Sequence, residues 1–234
     1  MTEPAERSDG AAPMAADEFA AWNERMVARY DIERYYERSH RLVRWIENRR
    51  IAELVRLAAP HAGERVLEVG CGAGHVLHRF EGTERTGMDL SQTMLARARR
   101  RLPKGVRLMQ GSADSLPFAS ASFDIVLCTE VLEHVQDPRR VIAELVRVAG
   151  PRGRVVVSIP NEAMIDRVKR VLRRTPIVRK ALSTLASEGN EWHLHTMDAD
   201  MLRRITEGVT NIRSLRAVPN RLLPIRWVVL LGAR

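Results

Sequence analysis

The spacing of apolar residues changes twice along this chain. From Phe19 to about Ala59 they recur at three- and four-residue intervals, with Leu42, Trp45, Ile46, Leu54, Leu57 and Ala58 falling together, which predicts helix. Short apolar runs then alternate with helical patterns. Strands are predicted at 65–69, 85–89, 106–110, 123–128 and 154–159, and helices at 73–80, 91–102 and 139–148. Ser91 reads as an N-cap, and Asp137 precedes Pro138 at a first helical position. Strand and helix repeated at this interval call for a parallel sheet covered on both faces. After Leu182 the pattern changes again, and "NIRSLRAV" and "IRWVVLLGA" read as two further strands joined without a long helix, hence antiparallel.

A length of 234 residues suits one α/β domain with an extension. Residues 1–16 mix Pro, Gly, Ala and charge without periodicity and are expected to be a disordered tail; 17–60 form a helical preface, and 61–234 the main domain. No run approaches the ~20 apolar residues of a membrane span. The N-terminal stretch is acidic and lacks an apolar signal core, so a cytoplasmic protein is expected. Cys71 and Cys128 have no zinc or disulfide spacing. The net charge of +9 favours anionic partners, but only 3 of the 38 basic residues are Lys, and such Arg usage is weak support for nucleic acid. The preface holds Phe19, Trp22, Tyr30, Tyr35, Tyr36 and Trp45, 6 of the 11 aromatics; they either cover a flat ligand or pack the helices onto the sheet.

The first predicted strand ends in "EVGCGAG", with glycine at 70, 72 and 74. Such a loop lets backbone approach a ligand at a sharp turn. A nicotinamide-dinucleotide fingerprint would place its third small residue at 75, where His75 stands, and no P-loop Lys comes after it. The stretch resembles the first motif of class I S-adenosylmethionine-dependent methyltransferases of the type-11 kind, nearest to ubiquinone-biosynthesis O-methyltransferases. "GMDLS", "GSADSLPF" and "FDIVLCTEVLEHV" match later parts of that core in order. The resemblance implies a Rossmann-like, doubly wound, seven-stranded, mostly parallel sheet with a helical N-terminal lid. It also implies S-adenosylmethionine as cofactor, held by Arg50, Glu68, Gly70, Gly72, Gly74, Asp89, Leu90, Ala113, Asp114 and Thr129. Asp89 would take the ribose hydroxyls, Asp114 the adenine edge and Arg50 the methionine carboxylate.

The acceptor is less defined. Glu130, Glu133 and His134 stand at i, i+3 and i+4, expected on one helical face, and the resemblance associates these residues with a divalent metal, here Mg2+. The alternative is that Glu and His make local hydrogen bonds. "NEWHLHTMD" adds His193 and His195, which would point to one side of an extended segment; with His134 they are the candidate catalytic bases. The motifs for amino-group methylation of adenine or glutamine and for cytosine C5 chemistry are absent, so a small-molecule hydroxyl leads. "AMIDRVKRVLRRTPIVRKAL" carries seven positive charges and one negative, and a basic helical insertion is expected at about 162–185. It would either contact an anionic membrane or pack over the acceptor pocket. A noncatalytic S-adenosylmethionine-binding protein and a dinucleotide-dependent oxidoreductase are the alternative readings.

Overall fold

The structure, a computed structural model, describes residues 14–30, 41–172 and 192–232. Strands β1 (Arg65–Val69), β2 (Glu84–Asp89), β3 (Arg107–Gln110), β4 (Ile125–Thr129), β5 (Arg154–Pro160), β6 (Asn211–Pro219) and β7 (Pro224–Gly232) form one sheet in the order β3-β2-β1-β4-β5-β7-β6. The first five are parallel, and β7 runs antiparallel to both of its neighbours. This is the expected α/β, doubly wound, seven-stranded sheet. Its order reverses between β1 and β4, which opens a crevice outside the carboxyl ends of those strands.

Side-chain alternation explains why both faces are covered. Leu67, Val69, Val126, Cys128, Val155 and Val157 pack on one side with Val141, Ile142, Leu145 and Val148 of α4 (Pro138–Ala149). Their neighbours Val66, Ile125, Leu127 and Val156 face the other side, against Ile51, Leu54 and Ala58 of α2 (Arg41–Ala58) and Ala98 of α3 (Gln92–Arg101). Both predicted caps form: Ser91 Oγ accepts from the Met94 N–H at 3.1 Å, and the Asp137 carboxylate from the Arg140 N–H at 2.9 Å. Helices α1 (Ala16–Arg29), α5 (Glu162–Leu172) and α6 (Ala199–Thr206) complete the described elements.

Three expectations change. No α-helix forms over 73–80; the chain turns irregularly and makes only a 3-10 turn at Leu77–Arg79. Gly72 and Gly74 have φ of +50° and +80°, outside the helical region, and the Leu77 N–H bonds to Glu68 Oε2 at 3.0 Å. The apolar spacing of Val76, Leu77 and Phe80 reports burial under β1, which a helix is not needed to achieve. Second, residues 130–137 are turns and bends, opened by Glu130 at φ +53°. Third, α1 begins at Ala16, inside the expected tail. Residues 1–13 of that tail, Tyr35, Tyr36 and residues 173–185 of the expected insertion lie outside the described residues.

Candidate active site

The crevice holds a cavity of about 580 Å³, lined by the glycine loop, the ends of β2 and β4, the 130–137 turn, α1, α2, α5 and the β6–β7 connection. Its glycine end is built from backbone. Gly70, at φ +70°, leaves β1 so close to Val131 that a Cβ would lie 2.2 Å from Val131 Cγ2. Gly72 is also left-handed, but a Cβ there meets nothing within 4 Å, so its bare face belongs to the cavity. Asp89 secures the loop: Oδ2 accepts from the Gly72 N–H at 2.7 Å and Oδ1 from the Ser91 N–H at 2.8 Å. Burial pushes its carboxyl above the ordinary range, against the pull of those two donors. Each oxygen keeps a lone pair for a ligand hydroxyl.

Of the expected cofactor residues, Glu68, Gly70, Gly72, Asp89, Leu90, Ala113 and Thr129 line the cavity. Glu68 is buried, accepting from the Leu77 N–H and, at 3.4 Å, from Thr129 Oγ1. Burial drives its carboxyl up to about 8. Gly74 packs against Leu102 instead, and Asp114 does not line the cavity; its carbonyl accepts from Arg140 Nε at 2.8 Å, and Gly111 and Ser112 stand beside Ala113. Arg50 is fully enclosed. Its Nε donates to Glu47 Oε2 at 2.8 Å and its Nη1 to Ser158 Oγ at 3.0 Å.

That arginine belongs to a polar ring. Ser158 Oγ donates to Glu130 Oε1 at 2.9 Å, Glu130 Oε2 meets Arg226 Nε at 2.8 Å, and Arg226 Nη2 lies 3.6 Å from Glu47. Burial opposes ionisation of Glu47, but Arg50 and Arg226 outweigh it and hold the carboxyl below its usual value. The ring ties α2 to β4, β5 and β7 with its charges paired, which is how buried ions are tolerated. It also corrects the expected metal set. With both oxygens of Glu130 committed to Ser158 and Arg226, and no helix to align them, Glu130, Glu133 and His134 do not form a three-ligand face.

Glu133 and His134 meet a different partner. The Glu133 carbonyl accepts from the Leu194 N–H at 2.7 Å and the His195 N–H at 3.3 Å, which joins the 130–137 turn to the 192–195 loop. His134, His193 and Trp192 gather there, with His134 ring centroids 4.7 Å from Trp192 and 4.9 Å from His193. His134 Nδ1 lies 3.1 Å from the Trp192 carbonyl, and His193 Nδ1 lies 2.5 Å from Glu162 Oε1. Burial first, then His193, lowers the His134 pKa to about 3; burial raises that of Glu133 well above the carboxylate range. His195 turns away, because the loop bends instead of running extended: its Nε2 donates to the Val135 carbonyl at 2.9 Å, and it does not line the cavity. That removes it from the candidate bases.

Glu162, Arg226, Glu47 and Glu24 were not singled out by the sequence. Glu162 sits just past the carboxyl end of β5, a position where functional residues of such sheets collect, so its placement was readable. Arg226 on an antiparallel strand carries no such signal. Glu24 of α1 accepts from Ser91 Oγ at 3.0 Å and the Thr93 N–H at 3.3 Å, fastening α1 over the start of α3. Phe19, Trp22 and Val27 of α1 pack with Ala73, Met94 and Trp192. Of the aromatics of the preface, Phe19 and Tyr30 line the cavity and Trp22 packs with Ala73, Met94 and Trp192.

Residues 67–157 match a family model described as a methyltransferase domain. The chain is 32% identical over 181 residues to a Mycobacterium tuberculosis protein named as a probable S-adenosylmethionine-dependent methyltransferase, covering 76% of this chain and 56% of that one. It is 38% identical over 125 residues to a ubiquinone biosynthesis O-methyltransferase of Thiobacillus denitrificans, covering 51% and 50%. The chain thus spans about half the length of the curated relatives it matches. A magnesium protoporphyrin IX methyltransferase of Synechocystis, solved with SAH, superposes with a TM-score of 0.63 at 17% identity over 93% of this chain and 97% of that one. A Pyrococcus horikoshii protein does so with 0.61 at 18%, over 86% and 95%. At those identities the likeness speaks to the fold alone. The matched stretch runs from β1 into β5 and contains the glycine loop, Asp89 and the 130–137 turn, and over it this chain carries a domain of the methyltransferase family, similar to S-adenosylmethionine-dependent members.

Proposed function

We propose that this protein transfers the methyl group of S-adenosylmethionine to a hydroxyl of a small metabolite. The observation that carries the reading is the pairing of Asp89 with the Gly72 N–H at the β1/β4 switch point, beside the open face of Gly72. A vicinal ribose diol suits a carboxylate with lone pairs to spare, and Leu90 and Ala113 offer apolar surface to an adenine. A dinucleotide fits less well. The loop leads into no α-helix whose free N–H groups would hold a pyrophosphate, and the Leu77 N–H is already taken by Glu68.

The cavity continues past the cofactor end into apolar walls of Val43, Ile46, Ile165 and Ile225, with Glu133, His134 and His193 at the inner side. This division suits an acceptor with an apolar body and one or more hydroxyls. In the transfer the S–CH3 bond breaks as the O–CH3 bond forms, in line, and the hydroxyl proton must leave. The acceptor atoms of Glu133, His134 and His193 are where this chain can take it. Ile165, Val168 and Lys169 of α5 line the cavity as well, which supports packing of the basic helix over the acceptor.

Calorimetric titration of the purified protein with S-adenosylmethionine and S-adenosylhomocysteine, with a nicotinamide dinucleotide as control, tests the reading. Micromolar binding of the sulfur compounds alone is expected, and then turnover with catechol acceptors. Binding of the dinucleotide instead would overturn it, and cofactor binding with no turnover on any acceptor would mark a noncatalytic binding protein.

A further inference from the structure

Hydrogen bonding sets both cavity histidines in the same tautomer. A carbonyl can only accept, so His134 Nδ1 carries the proton it gives to Trp192 and leaves a lone pair on Nε2. Glu162 does the same to His193, whose Nδ1 it holds at 2.5 Å. Glu133 adds a buried Oε2 without a hydrogen-bond partner among the described residues, and its Oε1 lies 4.0 Å from His134 Nε2. One ligand atom from each of the three residues falls within 4.8 Å of the others. Three ligand-bearing side chains thus gather at one part of the cavity wall, an arrangement that a cation satisfies.

We propose that Glu133, His134 and His193 bind one first-row divalent transition-metal ion through two imidazole Nε2 atoms and a carboxylate oxygen, with further positions open to the acceptor cavity. Two nitrogens and one oxygen suit zinc and its neighbours, whereas Mg2+ prefers an all-oxygen shell. Bonds of about 2.1 Å require the ligand atoms to close in by roughly an ångström. The supports are those that ligating histidines use: a backbone carbonyl behind one ring and a carboxylate behind the other. Glu130 takes no part, since Ser158 and Arg226 hold it. The role of the ion rests on the function proposed above: when bound, it would coordinate an acceptor oxygen and favour loss of its proton. Its binding does not depend on that reading.

The test uses the full chain, stripped with a chelator and titrated with Zn2+, Co2+ and Mg2+ by calorimetry, with the visible absorption of Co2+ as a second readout. One equivalent of Zn2+ or Co2+ is expected per chain, with no detectable Mg2+ binding at matched concentration. Glu133→Gln and His193→Gln should abolish the site, Glu162→Gln should weaken it about 10–100-fold, and Glu130→Gln should leave the affinity unchanged. Folded protein that binds no stoichiometric Zn2+ overturns the proposal, as does binding that survives both Glu133→Gln and His193→Gln. S-adenosylhomocysteine titrated into the same samples separates the two readings. Cofactor binding without metal overturns the metal site alone, and metal binding without cofactor overturns the proposed function alone.

Discussion

Asp89 and Glu68 act on the glycine loop before any ligand arrives. Replacing Asp89 by Ala removes the acceptor for the Gly72 and Ser91 N–H groups along with the ribose partner, so cofactor affinity should fall by about 1–3 kcal/mol. Calorimetry with S-adenosylhomocysteine reads this directly, and an unchanged affinity would remove Asp89 from the cofactor site. Glu68 makes a prediction in pH. Its carboxyl rises from an ordinary 4.5 to about 8, chiefly by burial, with the Leu77 N–H and Arg50 opposing. A group whose folded pKa exceeds its unfolded value binds more protons when folded; its stabilisation is complete below pH 4.5 and is lost as pH climbs toward 8. Glu68→Gln stays neutral across that window and keeps an acceptor for the Leu77 N–H. The Tm of the variant, relative to the unsubstituted protein, should therefore rise between about pH 5 and pH 8. A difference that stays flat with pH would mean that Glu68 ionises freely in the fold. Ser91 and Asp137 were legible in the sequence because a cap bonds within three residues of itself. The placements of Arg50, Glu130 and His195 were not, because their partners Ser158, Arg226 and Val135 come from other elements or lie across a loop.

At the scale of elements, the sheet was legible for the same reason that it is stable. Each central strand sends alternate residues to two buried faces, and that period is written in the chain. Periodicity failed at the two places where backbone geometry, not burial, decides the shape. The 73–80 segment has helical apolar spacing but left-handed glycines, and the 130–137 segment puts Glu130 at φ +53° to bring it to Ser158 and Arg226. A non-glycine residue in that region is uncommon, and here it lies at the cavity. The attachment of α1 is likewise tertiary. Glu24 binds the hydroxyl of the cap residue of α3 and the first-turn N–H of Thr93, so that α1 and the start of α3 hold each other. Glu24→Ala should loosen α1 by about 1 kcal/mol. Hydrogen exchange over Ala16–Arg29 should then speed up several-fold while exchange in β1 and β4 is unchanged. Equal acceleration throughout would show that Glu24 acts on global stability instead of on the cover of the cavity.

For the whole molecule, the distribution of charge and exposed apolar surface bears on where the acceptor comes from. No helix among the described residues is long and apolar enough to cross a membrane. Large apolar side chains nonetheless face solvent: Leu42 is 58% exposed, Trp45 50%, Val171 60% and Leu222 93%. Leu42 and the partly exposed Leu223 also line the cavity, so apolar surface reaches from its wall to solvent. Helix α5 brings Arg167, Lys169 and Arg170 to the same structure, in a chain of net charge +9. Basic residues near an anionic bilayer contribute about 1 kcal/mol each, and inserted apolar side chains add to that. Docking of this face on an anionic lipid surface would let an amphiphilic acceptor enter with its apolar body still in lipid, and vesicle binding tests it. The protein should cosediment with vesicles containing phosphatidylserine and stay in the supernatant with phosphatidylcholine alone. Raising salt to about 0.5 M should release it, as screening shortens the reach of the charges. Leu222→Asp, on an exposed residue outside the cavity lining, should weaken vesicle binding and leave S-adenosylhomocysteine affinity intact. If that substitution and high salt both leave binding unchanged, the contact lies elsewhere. If neither vesicle binds, the apolar surface serves a soluble acceptor and α5 is a cover for the cavity alone.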